Sequence, residues 1–235
     1  MDMYSGVLKD AWRMPKLPQK TRYLTLEEFR LVYDHMDPGR EIVTERGGRP
    51  FRFSFAPGTV VYRQRSDARD LLLALALCGG RWSEVARLTW DRIDLDKGVI
   101  RLWGSKTQKE RLVGIPDMLS TMLSRRLETR KPGQPLVFPT LSGIARASTS
   151  SSIQKAFGKT GLNSAERIGE SGRATIHSLR HTFASLLAQN GADLGAIQDA
   201  LGHTSLTMTR RYAHLLKTES AAKLAGVLND ALKGA

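Results

Sequence analysis

At 235 residues the chain is long enough to bury a sizeable core, as one main domain in preference to two small ones. Its 36 Lys and Arg against 23 Asp and Glu give a net charge of +13, which points to a polyanionic partner with nucleic acid first. The lone Cys78 excludes a disulfide framework, the longest apolar run (from Leu71) is too short to span a bilayer, and no signal peptide is recognisable. A cytoplasmic, nucleoid-associated protein with no membrane partner is therefore expected.

Residues 1–22 hold Pro15, Pro18 and several basic side chains without periodicity, and read as a linker or N-terminal arm. Leu24 to Phe29 then spell a capping box, with Thr25 as N-cap, Glu28 three positions on, and Leu24 and Phe29 placed for a hydrophobic staple. A helix to about Met36 follows. Over residues 37–66 the turn formers Asp37-Pro38-Gly39, Gly47-Gly48 and Pro57-Gly58 break the pattern, while Phe51, Phe53 and Phe55 alternate with polar residues. This predicts a hairpin turning near Pro57-Gly58, with its aromatic face packed on the domain; a nucleic-acid surface is the alternative use. Ser66 or Asp67 caps an apolar helix through Leu77 that stops at Gly79-Gly80. Arg81 to Glu84 opens another short helix to about Leu88. An arginine beside a helix N-terminus opposes the macrodipole unless an anion binds there, although an ordinary surface arginine reads the same way.

Val99–Trp103 and Arg111–Ile115 have strand composition, joined by a hairpin tip carrying Lys106 and Lys109. A helix over Asp117–Arg130, an apolar segment Leu136–Phe138, a helix over Ser151–Phe157 and a loop over residues 163–175 come next. The chain then gives a helix from His177 to Gln189 closed by Asn190-Gly191, a second from Asp193 to Leu201-Gly202, and a short third over Ser205–Arg211. Residues 219–232 place Ala221, Leu224, Ala225, Leu228 and Leu232 on one helical stripe that must bury against its own domain or a neighbouring protomer.

Taken singly, His177 reads as a helix-start cap, His203 as a turn residue after Gly202, and Tyr212 as a packed amphipathic aromatic. Together with Arg180, three residues after His177 and so on the same helix face, they fit phosphate chemistry. Guanidinium offers a planar fork of donors to phosphate oxygens, imidazole shuttles a proton, and a phenol can act as nucleophile. A tyrosine with an ordinary pKa of about 10 needs a proton acceptor or a cationic neighbourhood when it attacks, and His177 and the Arg210-Arg211 pair are the providers at hand. His181, Thr182 and His214 read as structural.

Gly80-Arg81-Trp82-Ser83-Glu84, Ser105-Lys106-Thr107 with Arg111 following, His177-Ser178-Leu179-Arg180-His181-Thr182-Phe183, Leu201-Gly202-His203 and Arg211-Tyr212-Ala213-His214 occur in an order and spacing that resemble the tyrosine recombinase (phage integrase) catalytic domain over about residues 24–217. The resemblance implies that Tyr212 attacks a scissile DNA phosphate and becomes joined to the 3′ end. It also implies that Arg81, Arg180 and His203 bind the phosphate, that Lys106 protonates the departing 5′ oxygen, that His177 takes part in proton transfer at the tyrosine, and that Glu84 supports the site. No metal, ATP or other cofactor is implied.

The expected fold is mostly α with a small antiparallel β-sheet (α+β). Residues 23–217 form the catalytic domain with 37–66 as an insertion, and 218–235 form a C-terminal helix that is a candidate protomer-docking segment. The expected function is site-specific recombination of double-stranded DNA by a chain that self-associates as a tetramer on DNA. A type IB topoisomerase-like enzyme and a catalytically silent DNA-binding regulator are the alternatives.

Overall fold

A computed structural model describes residues 21–46, 48–104 and 108–216. The expected N-terminal arm up to residue 20, Lys106 on its hairpin tip, and the C-terminal helix from residue 218 lie outside the described residues.

The first helix, α1 (Leu26–His35), begins as its sequence dictates: the Thr25 hydroxyl accepts from Glu28 N–H while the Glu28 carboxylate accepts from Thr25 N–H, closing the capping box. Both staple residues, Leu24 and Phe29, are buried. A hairpin of β1 (Ile42–Arg46) and β2 (Arg49–Phe53) follows, and its last pair is Arg46 with Arg49, so it does not turn at Pro57-Gly58. Gly48 supplies the positive φ of 73° that a tight hairpin turn requires, so the turn forms there and not at the proline. The expected packing of this ribbon on the domain is also corrected, because both strands are largely exposed and the Phe51, Phe53 and Phe55 rings pack on one another.

The central helix α2 (Val60–Cys78) starts a full two turns before the expected Ser66 or Asp67 cap. Thr59 is the true N-cap, its hydroxyl accepting from Tyr62 N–H. Asp67 sits within the helix and, with the buried Asp70, receives hydrogen bonds at 2.8 Å from Arg126 on α4 (Asp117–Glu128). Downstream of those ion pairs Leu71, Leu72, Leu73 and Leu75 are at most 1% exposed, each contributing about 1.5–3 kcal/mol of burial.

After α2 come α3 (Trp82–Ala86) and a three-stranded antiparallel sheet ordered β3 (Ile93–Asp94), β4 (Val99–Gly104), β5 (Lys109–Gly114). Strand alternation points Arg111 inward beside Val113, an unusual place for a charge and one that the site explains. Beyond α5 (Ser151–Lys159), the expected loop over 163–175 contains a helix, α6 (Ala165–Ser171). Its polar composition hides it from periodicity, but Ser164 caps it through Arg167 N–H and Gly172 ends it at φ 84°. Helices α7 (Ile176–Gln189), α8 (Leu194–Leu201) and α9 (Leu206–Thr209), with a 3₁₀ turn Arg210–Leu215, complete the described chain.

The packing of α7 on α2 sets the site. Gly79 ends α2 in the left-handed conformation at φ 58°, and a Cβ there would lie 2.3 Å from the Phe183 ring of α7. Glycine alone permits that approach, which brings Arg180 and Phe183 of α7 against the end of α2. Among the described residues no helix is long and apolar enough to cross a membrane.

Candidate active site

The ends of four helices and one strand converge on α7. Arg180 is 3% exposed, and its guanidinium donates to the Gly79 carbonyl at the end of α2 (2.8 Å) and the Leu201 carbonyl at the end of α8 (2.5 Å). Both are carbonyls that a helix C-terminus leaves without an intrahelical partner, so a buried cation there is favourable. Two of its five N–H donors are thereby committed, and the position of the charge is fixed by two separate helices.

Arg81 precedes α3 and donates from Nη1 to Glu84 Oε1 at 2.9 Å, while its backbone N–H reaches Glu84 Oε2 at 2.8 Å. The same carboxylate receives Arg111 Nη2 at 2.6 Å, and Arg111 Nε donates to the Ala200 carbonyl at 2.9 Å. Arg111 thus ties β5, α3 and the end of α8 together. Gly202, at φ 63°, packs so close that a Cβ would lie 3.0 Å from Arg111 Cδ. Burial alone would raise the Glu84 carboxyl, but the hydrogen bonds and charge of Arg111, together with those of Arg81, outweigh it and hold the pKa below the usual carboxylate value.

A stability test follows. Removing Glu84 leaves the buried Arg111 uncompensated, so Glu84→Ala is expected to lower stability by about 3–5 kcal/mol in urea titration. Because the folded carboxyl lies below its unfolded value of about 4.3, its contribution is complete above that pH and lost as pH falls through the folded pKa. The gap between the two proteins should therefore narrow with acid.

Tyr212 lies in the 3₁₀ turn with its side chain buried at 1% exposure. Its Oη is 2.5 Å from Nδ1 of His181. The imidazole on the phenol is therefore His181, expected to be structural, and not His177. His177 lies one turn earlier on α7, exposed, with its ring edge-on to that of His181 at 4.7 Å between centroids. His203, just after the α8 C-cap, is held by a 2.9 Å hydrogen bond between its Nδ1 and Thr209 Oγ1. Arg211 is exposed, anchored through Nε to the Met208 carbonyl at 2.9 Å. A cavity of about 510 Å³ opens beside this group, lined by Arg22, Arg173, Thr175, His177, His181 and Arg211.

The electrostatics share one sign. Burial and then the positive neighbours lower every imidazole: His181 to about 3, His203 to about 4, and His177 below its ordinary value. Arg180 and Arg211 act on all three, and Arg81 on His177 and His203. Arg180 is itself pushed down to about 10 by burial and by Arg81 and Arg111. The Tyr212 phenol is pushed up to about 12 by burial, against the opposing pull of Arg211 and Arg180. Neutral imidazoles and crowded guanidiniums around a protonated phenol make a pocket whose potential an anion would relieve. Of the residues singled out from sequence, Arg81, Glu84, His177, Arg180, His203 and Tyr212 come together here; Lys106 lies outside the described residues.

The chain matches the model of the phage integrase family over residues 61–219. It is 36% identical over 168 residues to tyrosine recombinase XerA of Thermococcus kodakarensis, covering 66% of this chain and 56% of that protein. It is 31% identical over 157 residues to tyrosine recombinase XerD of Staphylococcus aureus, covering 64% and 51%. The chain thus spans about half the length of these curated relatives. Its fold is similar to the catalytic domain of bacteriophage HP1 integrase (TM-score 0.57, 23% identity, 86% of this chain and 94% of that one). It is also similar to XerH site-specific recombinase in a post-cleavage complex with difH substrate (TM-score 0.64, 24% identity, 88% and 54%).

Proposed function

Because the chain belongs to the phage integrase, or tyrosine recombinase, family, we propose that it is a site-specific DNA recombinase that cuts and rejoins duplex DNA through a 3′-phosphotyrosyl intermediate, without a metal or nucleotide cofactor. The observation that carries this reading is the buried phenol of Tyr212 set among Arg81, Arg180, Arg211 and three neutral imidazoles.

Phosphoryl transfer to Tyr212 passes through a five-coordinate phosphorus whose equatorial oxygens carry added negative charge, and fixed donors in a sheltered site stabilise it. Arg81 and Arg180 face those oxygens and His203 adds a third donor. Lys106 protonates the 5′ oxygen as it leaves. His177, at the exposed edge, takes part in proton movement around the tyrosine. Glu84 holds Arg81 in place rather than reacting. The phosphotyrosine retains the energy of the broken bond, so rejoining to a new 5′ hydroxyl needs no nucleotide.

Residues 23–217 act as the catalytic domain with the 37–66 ribbon as an insertion. The segment 218–235 docks on a neighbouring protomer, and four protomers assemble on paired sites. Deletion from Glu219 onward is then expected to leave single half-site binding intact and abolish cooperative binding to paired half-sites in gel shifts. Unchanged cooperativity with a lowered melting temperature would instead place that segment on its own domain.

The reading is tested with duplexes recovered from a random-sequence pool by covalent capture on the full chain. Two such sites on one plasmid should yield exchanged strands in EDTA. Relaxation of supercoils without a second site would favour a topoisomerase, and a strict magnesium requirement a nuclease. Affinity should fall with salt at a log–log slope of about −0.9 for each phosphate neutralised; a flat response would contradict an electrostatic role for the +13 charge.

A further inference from the structure

We propose that Nδ1 of His181 is the base that takes the phenolic proton of Tyr212 as its oxygen attacks phosphorus, an assignment that rests on the strand-cleaving reading above.

His177, Arg180 and His181 lie about one turn apart on α7, and their side chains diverge. Arg180 reaches the Gly79 and Leu201 carbonyls, while His181 alone of the three has its ring on the Tyr212 hydroxyl, 2.5 Å from Nδ1 to Oη. A proton acceptor must lie within about 2.6–3.2 Å of the atom it deprotonates, or closer, and His181 meets that condition without rearrangement.

The neighbouring candidates are otherwise engaged. His177 turns its ring to His181. His203 Nδ1 is occupied by Thr209 Oγ1 at 2.9 Å. The guanidiniums of Arg180 and Arg211 have no acceptor atom at all. The role requires one tautomer: to accept from the phenol, Nδ1 must be bare and the proton must sit on Nε2.

The step balances. The Oη–P bond forms as the P–O5′ bond breaks, the phenolic proton passes to Nδ1 to give an imidazolium, and the departing 5′ oxygen takes its proton from a separate donor, the part given above to Lys106. On rejoining, the imidazolium returns the same proton to Oη.

The surroundings make this transfer conditional. Without DNA, burial and the positive charges of Arg211 and Arg180 hold His181 down at about 3, and burial holds the phenol up at about 12, so the proton stays on oxygen. A phosphodiester brings negative charge into that same field and makes an imidazolium tolerable there. The nucleophile is thus deprotonated only when its target is in place.

The test has a part that needs no DNA and a part that does. In the DNA-free full chain, long-range ¹⁵N–¹H correlation should show His181 as the Nε2–H tautomer; an Nδ1–H signal would overturn the assignment. In single-turnover cleavage of the captured duplex, His181→Ala and His181→Asn should both lose about 10²–10⁴-fold while binding DNA normally. Asn keeps a hydrogen-bond acceptor near the Nδ1 position and guards against a folding defect, yet it cannot take a proton. Recovery to within a few fold of the unaltered rate in His181→Asn would mean positioning only and would overturn the proposal.

A fluorotyrosine at position 212, which ionises more readily, should restore part of the rate in His181→Asn, whereas a 5′-bridging phosphorothiolate, which needs no leaving-group proton, should not. The reverse pattern would make His181 an acid and sink the proposal. Should the unaltered chain capture no duplex at all, the strand-cleaving reading fails and this role with it. Capture by the unaltered chain with full activity in His181→Asn overturns this role alone.

Discussion

Tyr212→Phe is expected to bind DNA as tightly as the unaltered chain and to form no covalent adduct. The substitution deletes one atom, Oη, whose partner is His181 Nδ1, and leaves the ring in its buried seat. Loss of a single hydrogen bond costs about 0.5–1.5 kcal/mol, so a melt should shift only slightly and unfolding would not explain a missing adduct. The loss should be total rather than graded, because no other hydroxyl has been placed where Oη meets the arginine and imidazole cluster. An adduct that persists in Tyr212→Phe would show that another residue attacks.

Arg180→Lys is expected to lower single-turnover cleavage by about 10²–10³-fold or more with little change in affinity for DNA. Affinity draws on charge spread over the whole chain, whereas the guanidinium of Arg180 is buried and held by two helix-end carbonyls at 2.8 and 2.5 Å. Its orientation is thus set before substrate arrives, which is the condition for favouring a transition state over a ground state. A lysine keeps the charge but loses the planar fork. Arg180→Ala goes further, because it strands the Gly79 and Leu201 carbonyls at about 1–3 kcal/mol each, so its rate loss must be read beside a thermal melt. Rate and affinity falling equally in Arg180→Lys would make this residue a phosphate anchor only.

Much of this site is legible in the chain because local rules and tertiary use agree there. Thr25 and Glu28 spell their capping box in four residues, and His177 and Arg180 lie on one face by helical spacing alone. The failures occur where tertiary contacts decide. Asp67 resembles a helix cap, but its carboxylate is used by Arg126 from another helix, leaving Thr59 as the true start. Phe51 and Phe53 alternate like a buried strand, yet their partners are each other, and no periodicity distinguishes the two.

The choice between His177 and His181 is of the same kind. Four residues apart on α7, they occupy the same face, and only the position of the 3₁₀ turn bearing Tyr212 decides which ring meets the phenol. Arg111 carried a usable signal: a charge at an inward position of a strand needs a buried partner, and Glu84 was already singled out nearby.

The central claim, that Tyr212 becomes joined to DNA, is tested most directly by a nicked suicide duplex bearing the captured site, incubated with the full chain in EDTA and resolved by denaturing electrophoresis. The cleaved strand should migrate as a protein-bound species, with peptide mass mapping placing the nucleotide on Tyr212 through a 3′ phosphate. Free cleaved ends with no adduct, or an adduct on any other residue, would contradict it.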